Sequence, residues 1–208
     1  MKKNIALTMF SLLAFSASMA SAADTGWYAG AGGGSSKFNG DETGLQPSLA
    51  NEGYTLNSLD KVGTGLKVFA GKLIDENWAV EVAYTDLGKF TYDANITAGS
   101  IYAPTTEQGL AKPTCWSLSG VGILPLRNNF SLLGKAGICR WNDQVWAQEI
   151  GGPTYPVESI GNSLTVGVGA KYAFGNNLAA RVEWERFNNV IHHRNSVDLL
   201  SISLQYGF

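Results

Sequence analysis

The chain has 208 residues and a formal net charge of −2, from 15 basic and 17 acidic side chains. That balance excludes a nucleic-acid partner gripped by a basic patch. Charged residues are only 15% of the chain, against ~25% in an ordinary soluble domain, while glycine (25 residues) and aromatics (11%) are abundant.

The N-terminus carries a short basic start, Met1-Lys2-Lys3-Asn4. An apolar run from Ile5 to Phe15 follows, broken only by Thr8 and Ser11, and then the small-x-small sequence Ala20-Ser21-Ala22. These are the three regions of a secretory signal peptide. The run is too short for a transmembrane anchor, which needs ~20 residues. We expect residues 1–22 to be the signal peptide, cleaved between Ala22 and Ala23, and 23–208 to form one domain.

Beyond it the strand signals come in pairs. Trp27 to Lys37 is Gly-rich with small or aromatic residues at every second position. Thr64 to Ile74 and Trp78 to Leu87 flank the turn Asp75-Glu76-Asn77. Trp116 to Leu124 and Phe130 to Trp141 flank Pro125–Asn129. Leu164 to Phe174 and Leu178 to Phe187 flank Gly175–Asn177, and Val197 to Phe208 ends the chain. Each run has a period of two, the mark of a strand with unlike faces. The connections Phe38–Gly63, Gly88–Thr114 and Asn142–Ser163 are long, Asn188–Ser196 is intermediate, and the other three are short. Eight strands with alternating long and short connections predict a closed antiparallel up-and-down β-barrel in the outer membrane, with short periplasmic turns and long external loops.

The competing fold is a soluble eight-stranded barrel, and the two faces separate them. One face is almost free of charge: Leu66, Val68, Ala70; Val80, Val82; Leu164, Val166, Val168; Leu200, Ile202, Leu204. The other mixes small residues with charges, which suits a narrow polar lumen rather than a solvated exterior. Trp27, Trp78, Tyr172 and Tyr206 fall near the short-turn end of the apolar face, Tyr84 and Trp184 nearer the other, as two aromatic girdles would. In the fourth strand both faces are plausible; the one carrying Trp116 is favoured.

Cys115 and Cys139 have their midpoint at residue 127, the centre of the Pro125–Asn129 turn. Residues sharing a hairpin's midpoint face each other, and an exported protein meets oxidising conditions, so a disulfide is expected at the outer ends of those two strands.

The residues resemble the OmpA-like family of outer-membrane barrels over the whole mature chain. The resemblance lies in Trp27-Tyr28-Ala29-Gly30-Ala31, in Val68-Phe69-Ala70-Gly71-Lys72-Leu73, in the Glu81-x-x-Tyr84-x-x-Leu87-Gly88 spacing, in Ala170-Lys171-Tyr172-Ala173 and in the terminal Leu204-Gln205-Tyr206-Gly207-Phe208. It implies a lumen filled by paired charges, with Glu81 matching a family acid and Arg181 a family base. Lys171 stands where an acid is expected, so the network is rewired. Buried charges must be paired, so Lys67, Glu81, Lys135, Lys171, Arg181, Glu183 and Glu185 are expected to bond to one another. It implies also that Leu204, Tyr206 and Phe208 form the signal read by the outer-membrane assembly machinery. The periplasmic domain of larger members is not expected.

Three functions follow. The first is a structural or interaction barrel whose loops serve envelope integrity, adhesion or surface protection. Its partners are outer-membrane lipid, lipopolysaccharide and a host or surface ligand. The second is a small ion-conducting pore. The third, a lipid A-modifying enzyme, would use His192 or His193 with Ser196, but their spacing lacks the pattern of the deacylase family. We therefore expect no enzymatic activity, cofactor or metal site.

Overall fold

The computed structural model describes residues 26–39, 54–59, 61–96, 106–149, 155–175, 177–191 and 195–208. The signal-cleavage residues Ala22 and Ala23, and His192 and His193, lie outside the described residues.

Among the described residues ten strands form: β1 (Trp27–Phe38), β2 (Tyr54–Leu59), β3 (Val62–Leu73), β4 (Trp78–Asp86), β5 (Phe90–Ile96), β6 (Thr106–Pro125), β7 (Phe130–Glu149), β8 (Tyr155–Ala173), β9 (Leu178–Ile191) and β10 (Asn195–Gly207). Eight of them, β1, β3, β4, β6, β7, β8, β9 and β10, pair antiparallel with their neighbours. β1 joins β10 and β6 joins β7, so the sheet closes on itself. Closure leaves no unpaired edge around the barrel, which a membrane requires.

The period-two pattern is realised directly. On β3, Leu66 and Val68 face outward and are half exposed, while Lys67 and Phe69 are buried inside. On β6, Trp116 and Leu118 face outward and Cys115, Ser117 and Ser119 inward. Trp27, Trp78, Tyr172 and Tyr206 all point outward near the short turns. Tyr84 stacks on Trp116 at 5.0 Å near the opposite end, where Trp184 lies under the Arg186 guanidinium.

Two of the expected loops are in good part strand. Residues 88–114 contain β5 and the outer half of β6, and residues 142–163 contain the outer halves of β7 and β8. β2 adds a short strand within residues 38–63 and pairs with β5. β6 and β7 each run 20 residues, about twice the 9–11 that cross a bilayer. Glycines and Pro113 hid these extensions. Pro113 has no N–H for a ladder, and it falls where β6 changes partner from β4 to β5. Its carbonyl accepts the Leu87 N–H at 3.0 Å, so its own nitrogen points at this same irregular junction.

Cys115 and Cys139 are disulfide-bonded, with Cα atoms 5.9 Å apart. They are not directly opposite, as their shared midpoint at residue 127 predicted. Cys115 pairs with Trp141 and Cys139 with Ser117, so the bridge runs diagonally. The turn centres on Asn128, because Leu126 bonds to Phe130 while Asn128 and Asn129 take positive φ, which asparagine tolerates better than most residues. The bridge also lies midway along the β6–β7 hairpin rather than at its outer end.

Candidate functional site: the charged lumen

Two apolar clusters occupy the interior. One, toward the short turns, includes Tyr28, Phe69, Ala79, Ala83, Val121 and Leu133. The other, toward the long connections, includes Leu87, Cys115, Cys139, Trp141, Phe187 and Leu199. Charged residues lie between them along the strands: Lys67 beyond Phe69 on β3, Lys135 between Leu133 and Cys139 on β7, and Arg181, Glu183 and Glu185 between Ala179 and Phe187 on β9.

Six of these charges close into a ring. Glu81 takes Lys135 on Oε1 at 2.6 Å and Arg181 on Oε2 at 2.8 Å. Glu183 takes Arg181 on Oε1 at 2.6 Å and Lys67 on Oε2 at 2.8 Å. Glu185 takes Lys135 on Oε1 at 2.8 Å and Lys67 on Oε2 at 2.5 Å. Three acids and three bases therefore alternate. The two oxygens of each carboxylate accept from different cations, and the formal charges cancel. All six residues are at least 94% shielded from solvent. Removing six charges from water costs far more than it returns unless every group is paired, and the ring meets that condition.

The surrounding side chains hold the ring in place. The Tyr28 hydroxyl donates to Glu81 at 3.2 Å, and Arg181 donates to Gln205 at 3.3 Å. The Phe69 ring lies 4.5 Å from the Arg181 guanidinium and 5.3 Å from the Lys67 ammonium, within cation–π range of both. Gly30 makes room for that ring, since a Cβ there would stand 2.3 Å from Phe69 Cζ.

Lys171 departs from the expectation. It is inward-facing and in register with Arg181, but among the described residues it joins no ion pair. It lines a vestibule of about 460 Å³ at the short-turn mouth with Tyr28, Gln205 and Ala179. The three acids of the ring are already saturated by three bases, and the residue facing Lys171 across the ladder is the cation Arg181. Tyr28, Phe69 and Gln205 were not singled out from the sequence as ring supports. Their inward parity on β1, β3 and β10 was the available signal.

Beyond the membrane-spanning part, the outer ends of β7 and β8 carry a polar ladder. Asn142 and Gln144 donate to Glu158 Oε1 at 3.0 and 3.2 Å, which lowers the pKa of that carboxyl below its ordinary value. Among the described residues no group of three metal-ligating side chains is present. Ser196 is the second residue of β10, at the register shift between Asn195 and Val197.

Known proteins share this architecture. Outer membrane protein A of Shigella flexneri is 27% identical over 213 residues, covering 99% of this chain and 56% of that protein. The chain thus spans about half the length of the curated relatives it matches. The attachment invasion locus protein of Yersinia pestis superposes with a TM-score of 0.55 at 15% identity, over 88% of this chain and 97% of that one. Neisserial surface protein A gives 0.52 at 17% identity, over 88% and 97%. At those identities the two structures establish the fold alone. The model of the outer membrane protein beta-barrel domain matches residues 6–208, and the chain belongs to that family.

Proposed function

We propose that this outer-membrane barrel works as an interaction protein: a closed, non-enzymatic anchor that holds a β-structured surface outside the bilayer. The observation that carries this reading is the length of β6, β7 and β8, at 20, 20 and 19 residues, together with β5 paired on the extended edge of β6. A transmembrane strand needs about half that length. The surplus is ordered pairing far outside the apolar band, which anchoring alone does not require. The ring and its two apolar clusters support a lumen that is core rather than passage, in keeping with the narrow interior of eight strands.

The Yersinia attachment invasion locus protein has been crystallised with a heparin analogue, sucrose octasulfate, and a sulfated glycan is a fitting first probe for the projecting strands here. Cells carrying the barrel with residues 145–156 replaced by an Asn-Gly turn should keep normal outer-membrane levels and heat-modifiable migration. Their attachment to a heparin-coated surface should fall to that of cells lacking the protein. Equal attachment of wild-type and null cells sinks adhesion to sulfated glycans and leaves envelope integrity as the role. The alternative, a small ion-conducting pore, requires the ring to open; steady single-channel currents from the folded protein in planar bilayers would establish it.

A further inference from the structure

Apart from the ring, a second set of charges lies on the outside of the barrel. Lys37, Asp86, Lys112, Arg140, Arg186 and Asp198 have the outward parity of their strands. Asp86 and Arg186 come one outward position beyond the aromatics Tyr84 and Trp184. Lys89, in the β4–β5 connection, is also exposed. In a chain of net charge −2, this outer belt sets five cations against Asp86, Asp198 and Glu158, the last in line with Lys112 across β7, and all three carboxylates are engaged. Asp198 takes both Arg186 nitrogens at 2.7 and 2.8 Å. Asp86 accepts the Gly88 N–H at 2.9 Å and lies 3.6 Å from Lys112 Nζ.

Between β1, β3, β4 and β6 the belt is cut by an outward-facing groove of about 620 Å³. Its floor is made of short side chains, Ser35 and Thr64, and of the Gly88 backbone. Gly88 has φ +89°, and a Cβ there would stand 2.7 Å from the Thr64 carbonyl oxygen, so no side chain fills the depression. Leu66, half exposed, forms the membrane side, continued by Val68 one outward position deeper. Lys89 and Lys112 form the solvent side, with exposed Val62 at the outer end of β3 beside them. Apolar surface below and two ammonium groups above, at girdle depth, match an amphiphile with a phosphate head and a hydrocarbon tail.

We infer that this groove binds a phosphorylated lipid of the outer leaflet, with its phosphate between Lys89 and Lys112 and one acyl chain along Leu66 and Val68. The inference rests on the outward orientation of the long strands but not on what those strands bind, so lipid retention and cell attachment can fail separately.

The test is native mass spectrometry of the refolded full chain in detergent, titrated with bisphosphorylated lipid A or with its fully dephosphorylated form. Bisphosphorylated lipid A should be retained, and the dephosphorylated form should bind at least about tenfold more weakly. Lys89→Gln with Lys112→Gln should reduce affinity for the phosphorylated lipid by about tenfold. Asp86→Asn keeps an acceptor for the Gly88 N–H but removes a negative charge, so it should tighten binding severalfold, a gain that structural damage does not produce. Lys72→Gln, at the opposite end beside Trp27, should change nothing. Equal binding of the two lipids, an unaffected Lys89→Gln/Lys112→Gln variant, or weaker binding by Asp86→Asn would each overturn the site.

Discussion

Lys67 on β3 and Glu185 on β9 are 118 residues apart in sequence and bond across the lumen at 2.5 Å. Neither strand neighbours the other, since β1 and β10 lie between them. The contact crosses the lumen, as does Arg181 on β9 to Glu81 on β4, four strands apart around the barrel, while Lys135 to Glu81 bridges over β6 alone. The interior is thus cross-braced by charge where a soluble barrel of this size would use apolar packing.

Cutting the ring should be costly. Glu81→Ala leaves Lys135 and Arg181 each short of a partner in a site nearly sealed from water, and takes the Tyr28 hydroxyl's acceptor as well. A loss of about 3–5 kcal/mol is expected. Urea unfolding followed by the shift between folded and unfolded gel bands reads it. A loss below about 1 kcal/mol would mean that water enters the lumen and replaces the carboxylate.

The bonds should also be mutually dependent. In a double-mutant cycle of Lys67→Met and Glu183→Met, the pair should destabilise less than the sum of the singles, with a coupling of about 0.5–3 kcal/mol. Additive effects would show that the two side chains act independently.

The Cys115–Cys139 bridge should leave no thiol to titrate when the protein is denatured without reductant. Its 24-residue separation gives an upper estimate of about 3.5 kcal/mol from chain entropy. The Cys115→Ala/Cys139→Ala variant should therefore fold and unfold at lower urea. Two free thiols in the untreated protein would disprove the pairing.

Gly161 is in register with Trp141, and a Cβ there would stand 2.3 Å from Trp141 Cζ2. The indole is buried among the upper cluster and has no room to retreat. Gly161→Val should cost about 1–3 kcal/mol through overpacking, and Trp141→Ala in the same chain should recover part of it. Calorimetry or urea titration of the three variants checks this.

The closing strand offers a cellular test. Leu204 and Tyr206 face outward on β10, Phe208 N–H donates to the Trp27 carbonyl at 3.0 Å, and Tyr206 and Phe208 lie 6.1 Å apart. Deleting Phe208, or replacing Leu204 and Tyr206 by Asn, should lower the outer-membrane level severalfold, more than shortening any projecting hairpin does. Normal levels after both changes would remove these residues as an assembly signal.

Much of the barrel was legible because lipid and lumen impose opposite demands on alternate residues. The parity of Leu66 and Lys67, or of Val182 and Glu183, is a local property and survives in a single sequence. The outer halves of β6, β7 and β8 were not legible, because above the bilayer neither face is forced to be apolar. There the alternation fades into Gly, Pro and Asn. Pairing between neighbouring strands sustains those segments, and pairing is invisible along one chain.

What the sequence determined by itself was the count of barrel strands, the facing of all but the fourth, and a set of seven inward charges that included the six of the ring. Only the tertiary structure decided which acid met which base, that Lys171 was left outside the ring, and that the cysteines met diagonally. The physical reason is register. Each of those outcomes depends on how strands far apart in the chain slide against one another, and for Cys115 and Cys139 the positive φ of Asn128 and Asn129 in a tight turn moved the centre of the hairpin by one residue and every cross-strand partner by two.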